Sequence, residues 1–333
     1  MLVAGSKGGD DGAGGESPLV EARLSHNLDV MRRTAITVLA IVATLVSSID
    51  SLVAWGGQGH RLVGLIAAER LTPVAKQNVA WLLDGQTLAD VSSWADSLTS
   101  DQVQTSYWHY LNIPPAATGY DRDRDCPKQP GVEAGSRSDR WRDCVVDRIA
   151  YWEERLGDPK LDRADRATAL KFIVHFIGDL HQPFHALGVG RGGNDVKVRV
   201  FGEANCGPST GSGPPRAESR GSNDSQRPNP CNLHSVWDGR LIARKALDDT
   251  AYLVELKTLI NAKRFGSLPP GTPAQWAEQS FRLAKEALVT PDTNIDEGYY
   301  RRHITVIDER LSLGGVRLAA ELNRILITPI AAR

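Results

Sequence analysis

Apolar residues recur at helical spacing along nearly the whole chain, and that periodicity decides the fold class. Segments 59–71, 73–84, 88–98, 142–156, 164–182, 233–247, 249–263, 273–289 and 296–326 all read as helices. The last is expected to split at Gly314–Gly315, because glycine weakens a helix interior. Only Asp195–Phe201 alternates as a strand does, with Val196, Val198 and Val200 set against Lys197 and Arg199. It reads as one arm of a small β-hairpin. Loops are expected at 113–140 and 202–231, the second of low complexity. The pattern predicts a mainly α protein: a single compact helical domain with a small β-hairpin and no internal repeat.

At 333 residues and 41% apolar content, the chain is long enough to bury a sizeable core. Its 39 Lys+Arg against 40 Asp+Glu exclude a globally basic nucleic-acid coat, so any attraction for polyanions has to be local. No apolar run reaches the roughly 18–20 residues that a membrane-spanning helix needs.

The first 54 residues read as an address. Residues 1–30 are Gly-rich and without periodicity, as a disordered upstream extension would be. After Met31 come Arg32 and Arg33, twelve mostly apolar residues from Ala35 to Val46, and a polar stretch ending at Ala54. That order is a secretory signal, 31–54, with translation starting at Met31 and a mature domain, 55–333, beginning at Trp55. The product is expected to be secreted or periplasmic, free of the membrane once the signal is removed, and without an obligate protein partner. Losing 4 Lys+Arg and 6 Asp+Glu leaves the mature chain 35 against 34. Four cysteines fit an exported protein and allow three pairings. Cys126–Cys144 and Cys206–Cys231 is the simplest, since each bridge closes a polar loop.

The chemistry lies in histidines and aspartates. Two helical segments carry His with Asp one turn later, His175-Phe-Ile-Gly-Asp179 and His234-Ser-Val-Trp-Asp238. Residues four apart share a helix face, so each pair presents an imidazole and a carboxylate to one point. Nitrogen with carboxylate oxygen suits zinc; a single such pair is as readily a structural hydrogen bond. Gly178, beside Asp179, costs about 1 kcal/mol relative to Ala in mid-helix. Close approach of another backbone would explain it. His185 follows Gln182-Pro183 just past the helix end and adds a candidate ligand. No Cys-x-x-Cys spacing occurs, which argues against a thiolate zinc site.

Further motifs stand in one order: Trp55-Gly-Gly-Gln-Gly-His60, Trp94-Ala-Asp96, Trp108-His109-Tyr110-Leu-Asn112, His175 to His185, Gly192-Gly193-Asn194 and Asn232 to Asp238. This set resembles the zinc-dependent, single-strand-specific nucleases of the mung-bean-nuclease type, within the phospholipase C/nuclease superfamily. The resemblance implies a helical domain of that type with three Zn²⁺ per chain. By position, Asp96, His109, His175 and Asp179 would hold the first zinc, and His185, His234 and Asp238 the second. The third would take the amine and carbonyl of Trp55, the imidazole of His60, and Asp179 as a bridge.

The implied substrates are single-stranded DNA and RNA, cut to 5′-phosphate products by metal-activated hydroxide at the zinc pair bridged by Asp179, and 3′-nucleotides, which lose phosphate. Tyr110 stands where relatives stack a base, with core packing the alternative, and Asn112 where relatives contact the base. Relatives carry an Arg three residues after the Trp-Ala-Asp aspartate; here it is Thr99, with Arg191 or Asn194 as candidate substitutes. His26, His181 and His303 are not expected to bind metal. Two other readings are a zinc-dependent phospholipase C and a non-catalytic secreted zinc-binding protein.

Overall fold

A computed structural model describes residues 55–98, 103–128, 140–206 and 230–329, all within one unit spanning Leu52–Arg333. The expected signal, upstream extension, Thr99 and most of the 202–231 loop lie outside the described residues.

Seven longer helices build the fold. They are α1 (Gly56–Ala68), α2 (Pro73–Leu83), α3 (Val145–Gly157), α4 (Arg163–His181), α5 (Asp249–Lys263), α6 (Pro273–Ala287) and α7 (Glu297–Ile325). Their starts are written locally. Thr72, Asp162, Asp248, Thr272 and Asp296 each cap a helix by accepting a backbone N–H three residues on, and Thr272 and Gln275 complete a capping box. Pro73 and Pro273 stand at first helical positions, where no N–H is missed.

The centre is α4. Every residue from Phe172 to His181 is buried, so this stretch is covered on all sides, by α1, α3, α6 and α7 among others. Burying a helix end leaves four carbonyls in need of donors. All four are met: Gly178 by Trp55 Nε1 (2.7 Å), Asp179 by Gln182 N (2.9 Å), Leu180 by Ser280 Oγ (2.6 Å) and His181 by Arg310 Nε (3.1 Å). Two of these donors lie more than 100 residues away, so the end of α4 is pinned by tertiary contacts. The pinned end is the one that carries His175 and Asp179.

Helix α7 runs unbroken through Gly314–Gly315, against the expected split. The glycines serve contact, not flexibility: a methyl on Gly315 would stand 2.4 Å from Ile66 Cβ on α1. Segment 88–98 also departs from expectation, forming turns and a 3₁₀ turn at Ala95–Leu98. Ser92 Oγ and Ser97 Oγ take the carbonyls of Ala89 and Trp94, in competition with a helical ladder. The 233–247 helix is broken up as Leu233–Ser235, a π-turn Val236–Arg240 and Leu241–Ala243.

The strand-like segment is realised only in part. β1 (Arg199–Val200) pairs in parallel with β2 (Asn294–Ile295), Arg199 opposite Asn294, so the sheet joins distant segments and is not a hairpin. A hairpin-like turn survives at Phe201–Gly202, where Val200 and Glu203 exchange both backbone hydrogen bonds. The alternation reports burial of Val196, Val198 and Val200, which holds whichever strand is the partner. Cys126–Cys144 and Cys206–Cys231 are the bridges formed. No helix among the described residues is long and apolar enough to cross a membrane.

Candidate metal centre

Six separate pieces of backbone converge beside the end of α4. α1 supplies His60, the 3₁₀ turns Ala95–Leu98, Val103–His109 and Pro183–Ala186 supply Asp96, His109 and His185, and α4 supplies His175 and Asp179. The Leu233–Arg240 segment supplies His234 and Asp238. The five imidazoles and the carboxylates of Asp179 and Asp238 are buried, and Asp96 is nearly so.

Asp96, His109, His175 and Asp179 face one point. His109 Nδ1 is 2.9 Å from Asp179 Oδ2 and 3.5 Å from Asp96 Oδ1; His175 Nε2 is 3.1 Å from Asp179 Oδ2 and 3.3 Å from Asp96 Oδ2. His60 Nε2 reaches the other oxygen of Asp179 at 3.3 Å. His185, His234 and Asp238 form a second group, their ligand atoms all within 4.8 Å of one another. Cys126, Cys144 and Asp147 also cluster, but the two sulfurs are joined in a disulfide and cannot ligate.

The outer hydrogen bonds fix which nitrogen faces inward. His175, His185 and His234 each point Nδ1 at a backbone carbonyl: Ser92 (2.7 Å), His109 (2.9 Å) and Gly192 (2.7 Å). A carbonyl only accepts, so Nδ1 carries the proton and Nε2 keeps its lone pair. Nε2 of His185 and of His234 is buried without a hydrogen-bond partner, as is Asp238 Oδ2. Gln182 Nε2 donates to the other Asp238 oxygen at 2.6 Å. Buried donors left empty are costly, and imidazoles held by carbonyls with free Nε2 atoms are what a divalent ion requires. Nitrogen with carboxylate oxygen in this number fits zinc.

Electrostatics agree. Burial lowers the His185 pKa to about 3, keeping it neutral and able to ligate. Burial also pushes Asp238 up to about 6: its carboxylate lacks a positive neighbour. Burial opposes charge on His175 too, but Asp179 and Asp96 outweigh it and raise that imidazole well above its usual value. Asp179 is held well below the usual carboxylate range, its burial outweighed by His175 and His185.

Trp55 caps α1 at φ 45°, fully buried, with its carbonyl accepting from Gly59 N at 3.0 Å. Its indole bond to Gly178 sets it one residue from Asp179. Gly178 does mark a close approach, though by a side chain and not a backbone: a methyl there would stand 2.6 Å from His60 Nδ1.

A short ladder, Leu111 N to His185 O (2.8 Å) and Ile113 N to Ala186 O (3.3 Å), lays Tyr110–Asn112 alongside the His185 turn. Tyr110 is half-buried and Asn112 exposed. Arg191 is exposed and bound to Asp195 (2.6 Å), and Asn194 Nδ2 donates to the Arg191 carbonyl, so both are held within their own turn. His181 turns away from the centre: its Nδ1 meets Ile177 O and its Nε2 meets Arg317 Nη1. His303 packs on Tyr299 and Trp237.

Sequence reasoning missed Gln182 as the group orienting Asp238. The signal available was a fully buried glutamine type at a helix end between two ligands. It also missed the carbonyls of Ser92 and Gly192, which carry no signature in residue type.

Comparison with known proteins matches this geometry. Endonuclease 2 of Arabidopsis thaliana is 27% identical over 322 residues, 87% of this chain and 97% of the relative. Nuclease P1 of Penicillium citrinum is 29% identical over 83% of this chain and 100% of its own length. Nuclease S1 of Aspergillus oryzae is 24% identical over 83% and 93%. The family model described as S1/P1 Nuclease matches residues 55–327, starting at the buried tryptophan, and the chain belongs to the S1/P1 nuclease family.

Proposed function

We propose that this chain is an exported zinc-dependent endonuclease that prefers single strands. It hydrolyses phosphodiester bonds of DNA and RNA to leave 5′-phosphates, and it removes phosphate from 3′-nucleotides. The observation that carries this reading is the buried convergence of five imidazoles and three carboxylates with inward lone pairs, in a member of a nuclease family. Three zinc ions are held as the family resemblance assigns them. Asp96, His109, His175 and Asp179 hold one, and His185, His234 and Asp238 another. The Trp55 amine and carbonyl, His60 and Asp179 hold the third. Bound zinc supplies Lewis acidity at the phosphate and a water acidified toward neutrality.

The chain's own residues set the rest. Backbone carbonyls fix the imidazole tautomers, Gln182 orients Asp238, and Tyr110 and Asn112 lie beside His185 to receive a base. A buried centre favours a strand that can bend and splay its bases, which a duplex resists. Two disulfides support export, with the mature domain beginning at Trp55 after removal of the signal 31–54 and the upstream extension 1–30.

The test is incubation with denatured DNA, duplex DNA, RNA and phosphatidylcholine, with and without EDTA. Expected is cleavage of denatured DNA and RNA ahead of duplex, abolished by EDTA. Hydrolysis of phosphatidylcholine alone would mean a phospholipase C. Zinc uptake without turnover of any substrate would mean a zinc-binding protein.

A further inference from the structure

The 3₁₀ segment Val103–His109 has two distinct faces. In a 3₁₀-helix, side chains three apart eclipse one another. Ser106 and His109 form one such pair, and both are buried, His109 on the metal-ligand cluster. Tyr107 and Tyr110, the first residue past the segment, form the next pair, and they lie toward solvent. Tyr107 is 45% exposed, among the most exposed large hydrophobic residues described, whereas Tyr110 is half-buried. The two phenols are close enough to interact: besides burial, Tyr107 raises the Tyr110 hydroxyl, and Arg191 across the cleft lowers it. Tyr107 is therefore an exposed ring placed one eclipsed step outward from Tyr110, on the backbone that delivers a ligand to the centre.

An exposed tyrosine on a backbone otherwise turned inward needs an occupant. Every base offers a π-face, and consecutive bases of a single strand can lie on consecutive rings, whereas a mononucleotide has only one base to place. We propose that Tyr107 is a second base-stacking subsite, which receives the neighbour of the base at Tyr110 and so sets the preference for oligonucleotides over mononucleotides. This rests on the nuclease reading above and adds to it a residue that reads strand length.

Zinc-loaded wild type, Tyr107→Ala and Tyr107→Phe are compared for binding of two probes: a hydrolysis-resistant phosphorothioate oligothymidine, and thymidine 5′-phosphate. Stacking worth about 1–3 kcal/mol corresponds to a loss of roughly 5- to 150-fold. Expected is that loss for the oligonucleotide in Tyr107→Ala, less than about twofold for the mononucleotide, and near-wild-type binding of both in Tyr107→Phe. Zinc content is expected to be the same in all three proteins. Unchanged oligonucleotide binding in Tyr107→Ala overturns the proposal. So does an equal loss for both probes, which would mean that the whole site had shifted. Turnover of unmodified DNA is scored separately: a wild type that loses oligonucleotide binding on Tyr107→Ala but cleaves nothing keeps the subsite and loses the nuclease reading.

Discussion

A methyl on Gly178 would stand 2.6 Å from Nδ1 and 2.8 Å from Cε1 of His60, well inside contact distance. Two effects then compete in Gly178→Ala. Alanine favours the helix by about 1 kcal/mol, while displacing His60 costs a buried ligand its place. The second wins at the site, so Gly178→Ala is expected to keep its helical circular dichroism and lose zinc and turnover. His175→Ala and Asp238→Ala should do the same by removing ligands directly. Full zinc content by elemental analysis in any of the three would contradict the assignment. The ligand types were legible because His and Asp four apart on a helix announce a shared face. The neighbour of Gly178 was not, since α1 and α4 meet only in three dimensions. A second expectation concerns Glu153. Burial and Glu321 raise its pKa to about 7, with Arg324 opposing. The native state therefore binds this proton more tightly than the unfolded chain does, and stability falls as pH rises from about 4.5 to 7. Glu153→Gln should remove that slope and stabilise the protein at pH 8 by on the order of 1–3 kcal/mol, with little effect at pH 4.5. Thermal melts at the two pH values decide it, and parallel slopes for both proteins would contradict it.

Helices with strong apolar faces and local caps were readable as elements, α6 from its capping box and α5 from Asp248. The failures share a cause. Where a segment spends its polar groups on distant partners, local periodicity misleads: Ser92 gives its carbonyl to His175, so 88–98 does not close as a helix. Gly314–Gly315 looked like a break because glycine is weak in helices, yet tertiary contact overrides propensity. Arg310 and Arg317, buried and lowered by that burial to about 9 and 10, meet His181 and Gln279 at the end of α4. Positive charge is favourable at a helix C-terminus, which gives these arginines a place in the core. The α1–α7 crossing yields its own prediction. Alanine at Gly315 gains about 1 kcal/mol in propensity but sets a methyl 2.4 Å from Ile66 Cβ, and overpacking costs about 1–3 kcal/mol. Gly315→Ala should lower Tm, measured by calorimetry; a raised Tm would mean that the crossing has room.

At the scale of the molecule, a nearly neutral chain gathers its chemistry into one buried cluster on a helix end that distant side chains pin in place. Fold class and the order of the motifs were legible from one end of the mature region to the other, whereas the parallel β1–β2 pairing, between segments more than 90 residues apart, was not. Processing belongs to this scale too. A free α-amine, with a pKa near 7.7–8.0, can give its lone pair to a metal, whereas a peptide nitrogen has its lone pair delocalised into the amide. A protein that retains residues 1–54 should thus carry less zinc and turn over more slowly than one starting at Trp55; equal values would leave Trp55 a packing residue only. The most direct measurement is zinc content against turnover of denatured DNA for the protein starting at Trp55, stripped by chelation and reloaded stepwise. Expected is no turnover when stripped, and recovery that levels off at three zinc ions per chain. Full turnover in the stripped protein, or a folded protein that takes up no zinc, would contradict the metal centre.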